Sequence, residues 1–177
     1  RNEKVQIDTD NTFITDTFEN DTTIAPTFKL SKGSQTVISG TSDAIDIAIE
    51  KLKENEAKRV IKLKTGGPFH TEKLKKASEL FKEDLHKVQF KNGNGVKVIR
   101  NIDGEFYTER NNFEEILSKH IVSPVRLDKA IQLMKNQNIE RFIEIGPGRT
   151  LTGFVKKDYP EAKLYNVNNL DSLEKII

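Results

Sequence analysis

From residue 35 onward, short apolar runs alternate with stretches whose apolar side chains recur at helical spacing, and this alternation constrains the fold more than any other feature. Residues 36–38 read Thr-Val-Ile, and β-branched side chains of this kind favour a strand. Further strands are predicted at 59–64, 96–99, 141–145 and 164–167, the one at 141–145 being buried. Strands and helices that alternate through short connections are typical of an α/β fold with parallel pairing.

Two of the intervening helices have a clear apolar face. Thr41 or Ser42 is placed to cap the first helix. The side chains that we expect this helix to bury are Ile45, Ala48, Ile49 and Leu52. The second helix begins at about Thr71. Its expected buried positions are Leu74, Ala77, Leu80 or Phe81, and Leu85.

Residues 1–34 differ in composition from the rest of the chain. Residues 1–30 are rich in Thr, Asp and Asn, and their apolar side chains are widely spaced. Two or three weak strands and a partly ordered arm are both compatible with this pattern. The segment therefore remains unplaced, and nothing in it suggests chemistry.

Composition excludes several classes of protein. Lys and Arg total 29 against 27 for Asp and Glu, and a net charge of +2 gives no case for nucleic-acid binding. No apolar run approaches the roughly 20 residues that a membrane helix needs. Residues 2–10 are polar and acidic where a signal peptide would be apolar, so we expect a cytoplasmic protein. The absence of cysteine excludes disulfides and cysteine nucleophiles.

Three histidines are candidates for chemistry: His70, His86 and His120. His86 follows the second helix among charged residues and reads as a surface side chain, and the His120 side chain is expected to be structural. His70 differs because it joins a strand to the start of a helix, where α/β proteins collect functional groups. The residues alone leave two readings open for His70, a functional group or a hydrogen-bonded turn residue.

Other motifs are incomplete. Residues 146–150 read Gly-Pro-Gly-Arg-Thr, which suggests a phosphate-binding loop at a helix start, although a tight turn is the favoured reading because neither glycine-rich fingerprint is present. No Gly-x-Ser-x-Gly nucleophile elbow occurs. The histidines are scattered and no His-Glu-x-x-His occurs, so no metal site is predicted.

Four segments, in order, resemble the malonyl-CoA:acyl carrier protein transacylases, the acyl-loading enzymes of fatty acid synthesis. Residues 66–71 (GGPFHT) are similar to that family's catalytic-histidine segment, and the other three segments are 35–40, 122–126 and 142–153. The resemblance extends from residue 35 to the C-terminus. It implies a layered, mostly parallel sheet flanked by helices over 65–177, the C-terminal part of an acyltransferase core, and part of a ferredoxin-like α+β subdomain over 35–64, with 1–34 unplaced.

The resemblance also implies a mechanism. In the family, a serine takes malonyl from coenzyme A and passes it to the thiol of acyl carrier protein, while a histidine acts as general base and then general acid. His70 matches that histidine, and the main-chain carbonyl of His120 matches the group that orients it. Phe69 matches a substrate-binding position where a large ring disfavours an α-methyl group, a discrimination worth only about 1–3 kcal/mol.

The chain departs from the family in what it lacks. The Gly-His-Ser elbow, the N-terminal Gly-Gln-Gly motif and the arginine that holds the malonyl carboxylate are absent from the sequence. The resemblance therefore predicts a C-terminal half that is inactive alone and that uses malonyl-CoA and acyl carrier protein without a cofactor. A complementing N-terminal fragment, or a longer parent chain, would supply the missing residues.

The alternative is a non-catalytic module that binds carrier protein, or a truncated remnant. Its candidate basic rim comprises Lys73, Lys75, Lys76, Arg149, Lys156 and Lys157. For each cluster taken singly, a solvated helix face is the favoured explanation. A small RNA-binding domain is not supported, because no aromatic platform accompanies the strand at 36–38.

Overall fold

The computed structural model of the chain describes residues 2–8, 24–29, 35–55, 57–64, 67–91, 95–108 and 112–176. Within these ranges the strands are β1 (Asn2–Asp8), β2 (Ile24–Lys29), β3 (Thr36–Thr41), β4 (Arg59–Leu63), β5 (Val125–Arg126), β6 (Arg141–Ile145) and β7 (Lys163–Val167). The α-helices are α1 (Ser42–Glu54), α2 (Lys75–Leu85), α3 (Phe113–Val122), α4 (Leu127–Asn136), α5 (Thr150–Asp158) and α6 (Leu170–Glu174). A 3-10 turn at Glu72–Leu74 precedes α2. None of the helices described is long and apolar enough to cross a membrane.

The fold class predicted from the sequence, α/β, is confirmed, but the sheets are mixed. In the first sheet the strand order is β4-β1-β3-β2-β5. β1 pairs antiparallel with β3 and β4, and β2 pairs antiparallel with β3, whereas β5 adds to β2 in parallel. A second sheet consists of β6 and β7 in parallel. The pairings of β1 and β2 were not predicted, because both strands belong to the segment that the sequence left unplaced.

The chain divides into two compact units, residues 1–130 and 131–177. The sequence predicts its boundaries elsewhere, at 34/35 and 64/65. Because β1 hydrogen-bonds to both β3 and β4, residues 2–8 share one sheet with 36–41 and 59–63.

One face of the first sheet packs against α1, as the sequence predicts. The buried cluster consists of Val5, Ile7, Ile24, Ile38, Ile45, Ala48 and Leu52, with Ile49 packed at its edge. The Thr41 hydroxyl accepts a hydrogen bond from the main-chain N–H of Ala44 at 3.4 Å, which caps α1. Full burial of one such aliphatic side chain contributes about 1.5–3 kcal/mol, so this cluster holds the sheet and its loops in place.

The predicted buried face of α2 is confirmed at Leu85 but wrong at Ala77 and at Leu80 or Phe81. Leu80 and Phe81 are 54% and 38% exposed, and Ala77 is exposed as well, whereas Ser78 and Leu85 are buried. The reason is the contact with α3, in which the Ser78 hydroxyl donates to the main-chain carbonyl of Ser118 at 2.6 Å. Two serines at the contact let the helix backbones approach closely, and this turns the larger side chains outward.

The strand predicted at 96–99 does not form. Within residues 95–108, an isolated antiparallel bridge joins Ile99 to Phe106. Gly104, at φ 74°, turns the chain between these two residues and lies against the start of α4. The segment is therefore a turn held by close packing.

In the second unit, β6 is the strand predicted at 141–145, but only alternate side chains are covered. Phe142 contacts Tyr159 edge-to-face at 6.0 Å between ring centroids. Ile143 and Ile145 are 48% and 80% exposed, so the expectation of a buried strand is wrong for them. They lie on a face of β6 that the described residues leave open.

Candidate active site

His70 lies between β4 and the 3-10 turn that leads into α2, in a segment fixed by main-chain hydrogen bonds. The Thr71 hydroxyl donates to the carbonyl of Pro68 at 2.7 Å. The main-chain N–H of His70 donates to the carbonyl of Ile121, near the end of α3, at 3.2 Å. Two elements that are distant in sequence therefore set the position of this histidine.

The imidazole of His70 is anchored through one ring nitrogen. Its Nδ1 lies 3.2 Å from the main-chain carbonyl oxygen of His120. A carbonyl oxygen only accepts hydrogen bonds, so the contact requires the proton on Nδ1 in the neutral ring. Nε2 then presents a lone pair, and within the described residues it has no hydrogen-bond partner. An imidazole in this state can accept a proton at Nε2.

The backbone at His70 is in an uncommon conformation, with φ at 62°. Non-glycine residues in the left-handed region cost of order 1–3 kcal/mol, and such residues cluster at functional sites. The hydrogen bonds on both sides of His70 hold it there. This conformation points the ring back toward the end of α3.

The side chain of His120 is a neighbour of the His70 ring. The two ring centroids are 5.2 Å apart, with an interplanar angle of 37°. Burial, and to a smaller extent the charge of His70, lowers the pKa of His120 below its ordinary value. The Nε2 atom of His120 is buried and has no hydrogen-bond partner among the described residues. The lowered pKa makes the His120 ring a weaker base than an ordinary histidine side chain.

Phe69 presents its ring to solvent beside His70, at 54% exposure. Its ring is therefore not part of the hydrophobic core. The main-chain carbonyl of Phe69 accepts a hydrogen bond from Lys4 Nζ at 2.8 Å. The three predicted site residues, Phe69, His70 and His120, are thus adjacent, and their roles stay predictions.

Lys4 is the residue near this site that the sequence did not predict. It is 7% exposed, on the face of β1 opposite α1. Its neighbours Val5 and Ile7 give β1 an alternating pattern in which the even positions, Lys4 and Gln6, read as solvent-facing. Lys4 is nevertheless buried, because the Phe69–His70 segment lies over this face of the sheet.

The Gly-Pro-Gly-Arg-Thr loop of the second unit favours the tight-turn reading. The Glu144 carboxylate accepts hydrogen bonds from the main-chain N–H groups of Leu151 and Thr152, at 3.2 and 2.7 Å, and from the Thr152 hydroxyl. It thus occupies the N-terminus of α5, where a phosphate would otherwise bind. The Thr152 hydroxyl first, and then the main-chain donors, lower the pKa of Glu144 to about 2.

We expect Glu144→Gln to destabilise the second unit in a pH-dependent way. The folded pKa of about 2 lies below the ordinary value of 4.5, so the stabilisation is fully present above pH 4.5 and disappears as pH falls through 2. Urea unfolding followed by NMR signals of residues 131–176 measures it. The unfolding midpoints of parent and variant should differ at pH 7 and converge near pH 2. Glu140→Gln, at an exposed side chain, is the matched control, and a difference that persists at pH 2 contradicts the assignment.

The basic residues of the alternative reading lie in different units. Lys73, Lys75 and Lys76 are exposed on the 3-10 turn and the start of α2. Lys156 and Lys157 are exposed in the last turn of α5.

His86 is a surface residue whose Nδ1 pairs with Glu114 at 2.6 Å. Among the residues described, no cluster of three His, Cys, Asp or Glu side chains is placed to hold a metal ion.

The chain is thus an α/β protein with mixed sheets and an anchored histidine at a strand-to-helix junction. No family model matches it. Malonyl CoA-acyl carrier protein transacylase of Bacillus subtilis (strain 168) is 37% identical over 164 residues, which are 93% of this chain and 51% of the relative. The protein of the same name from Staphylococcus aureus (strain COL) is 31% identical over 140 residues, 79% of this chain and 45% of the relative.

Solved structures show the same relationship as the sequence comparison. The crystal structure of malonyl CoA-acyl carrier protein transacylase from Clostridium perfringens superposes with a TM-score of 0.89 at 34% identity, covering 99% of this chain and 56% of that chain. The complex of a type II polyketide-synthase acyl-carrier protein with its malonyl-transacylase superposes with a TM-score of 0.87 at 25% identity, covering 98% and 57%. The chain is therefore a homologue of part of the malonyl CoA-acyl carrier protein transacylases, as its four segments predict, and it spans about half the length of the curated relatives it matches.

Proposed function

We propose that this chain is the histidine-bearing part of a malonyl-CoA:acyl carrier protein transacylase and that His70 is its general acid and base. The observation that supports this best is the anchoring of His70 Nδ1 by the His120 carbonyl, at 3.2 Å, which leaves Nε2 without a partner among the described residues. The names of the relatives supply the reaction. The adjacent ring of Phe69 supplies a surface for the acyl group.

In the first half-reaction, His70 Nε2 takes the proton of a serine hydroxyl while the serine oxygen attacks the thioester carbonyl of malonyl-CoA. The carbon–sulfur bond breaks, and the coenzyme A thiolate leaves with the proton from Nε2. In the second half-reaction, Nε2 takes the proton of the carrier-protein thiol, whose sulfur attacks the serine ester. The serine oxygen leaves and recovers the proton. His120 supports each step because its carbonyl accepts the Nδ1 hydrogen bond, which strengthens when the ring is positively charged.

The serine must come from polypeptide outside these 177 residues. No nucleophile elbow occurs in the sequence, and removal of a nucleophile abolishes most of the rate of enzymes of this kind. The part of the B. subtilis relative that this chain does not match, about half of its length, is the source we propose for the test.

The test is transfer of labelled malonyl from coenzyme A to acyl carrier protein by the chain alone, by the serine-bearing part of the relative alone, and by the two produced together. We expect transfer only from the combination. Transfer by the chain alone contradicts the proposal and requires another nucleophile within it. Salt-sensitive binding of carrier protein without transfer by the combination supports the non-catalytic module instead, because attraction between exposed charges weakens with screening.

A further inference from the structure

Lys4 is a buried cation next to the proposed catalytic segment. It lies on β1 between Ser39 of β3 and Leu63 of β4, on the face of the sheet opposite α1. Only 7% of the residue is exposed. A lysine in this environment is unusual, since lysines are almost never fully buried unless paired.

The contacts of Lys4 are directed at Phe69. Its Nζ donates to the Phe69 main-chain carbonyl at 2.8 Å and lies 5.6 Å from the centroid of the Phe69 ring. Among the described residues, no carboxylate forms an ion pair with it. Burial lowers the pKa of Lys4 below its ordinary value.

The carbonyl of Phe69 and the N–H of His70 belong to the same peptide group. Lys4 of β1 holds the carbonyl, and the Ile121 carbonyl, near the end of α3, accepts the N–H at 3.2 Å. Both polar ends of this peptide are therefore fixed by two different elements. The plane of that peptide sets φ of His70, which is 62°.

We propose that Lys4 is a positioning residue that fixes the Phe69–His70 peptide and thereby directs the His70 ring toward the His120 carbonyl. Its importance for catalysis rests on the proposed function, whereas its effect on the imidazole does not. The contribution of Lys4 to overall stability is expected to be small, because a buried charge that is hydrogen-bonded to a carbonyl gains little over an apolar side chain of the same length.

The decisive variant is Lys4→Met, which retains the length of the side chain and removes its charge. Lys4→Arg restores a donor for the carbonyl. Lys62→Met is the matched control, since Lys62 lies on β4 of the same sheet, on the opposite face, where it pairs with Asp46 at 2.9 Å. Urea unfolding establishes that each variant is folded before any other measurement.

The first readout uses the chain alone. Nitrogen-15 NMR of the His70 ring distinguishes a proton on Nδ1 from one on Nε2. The parent and Lys62→Met should show the Nδ1–H tautomer of a ring bonded to a carbonyl. Lys4→Met, although folded, should show a mixture of tautomers, and Lys4→Arg should recover much of the parent signal. Unchanged His70 signals in a folded Lys4→Met chain overturn the proposal.

The second readout is malonyl transfer by the chain combined with the serine-bearing part of the relative. Lys4→Met should lower kcat about 10–100-fold, as misplacement of a catalytic group by about 1 Å does, with KM unchanged. A tautomer change in Lys4→Met together with an inactive parent combination refutes the proposed function and leaves the positioning of the ring standing. An active combination in which Lys4→Met retains kcat refutes the positioning role and leaves the proposed function standing.

Discussion

Replacing His70 with alanine is expected to lower malonyl transfer by the combined polypeptides about 10²–10⁴-fold, the range that a general acid and base contributes. Without the imidazole, no group at this position removes the serine proton or returns it to the leaving thiolate. The loss should fall on kcat, with KM for malonyl-CoA little changed, because the ring transfers protons during the chemical step and does not hold the bound substrate. Steady-state transfer of labelled malonyl to carrier protein measures both constants.

Two other histidines provide the controls. His86→Ala removes an exposed imidazole that pairs with Glu114 and should leave kcat unchanged. His120→Ala removes a neighbouring ring but keeps the main-chain carbonyl that contacts Nδ1, so its effect should be small compared with that of His70→Ala. Full activity in a folded His70→Ala chain contradicts the proposed function. A loss in His120→Ala as large as in His70→Ala contradicts the assignment of the carbonyl.

Local patterns in the sequence correctly predicted those features that depend only on residues close to one another in the chain. The cap at Thr41 and the stripe of α1 depend on spacing within one helix, and both are as expected. The middle of the α2 face was predicted wrongly because it depends on α3, about 40 residues away, where the Ser118 carbonyl accepts a hydrogen bond from Ser78. Periodicity describes a helix face but does not identify what packs on it.

The candidate site shows the same division. His70 and the His120 carbonyl were predicted together only through the family resemblance, since nothing in the spacing of two residues 50 apart indicates that they meet. Lys4 has no counterpart in any motif. Because Lys4 alternates with the apolar Val5 along β1, the sequence predicts that its side chain faces solvent. It is buried because the segment that contains Phe69, more than 60 residues later in the chain, lies over this face of the sheet.

Gly104 is the position where, among the glycines compared in the described residues, a single added methyl group should have the largest effect on stability. Its φ of 74° is disfavoured for any residue with a side chain. A Cβ there would clash with the Cβ of Lys129 and lie 2.7 Å from the main-chain nitrogen of Ala130, and neither neighbour is a flexible side-chain end. We expect Gly104→Ala to lower the free energy of unfolding by about 2–5 kcal/mol, from about 1–2 for the backbone conformation and about 1–3 for overpacking.

Gly95→Ala separates the two causes of that loss. Gly95 also has a positive φ, 78°, but a Cβ there meets nothing within 4 Å among the described residues. It should therefore cost only the conformational part, about 1–2 kcal/mol. Urea unfolding followed by NMR signals of the first unit compares the variants. Equal losses in both would mean that the chain at Gly104 withdraws from α4 at little cost, and the segment at 95–108 would then not be held by that contact.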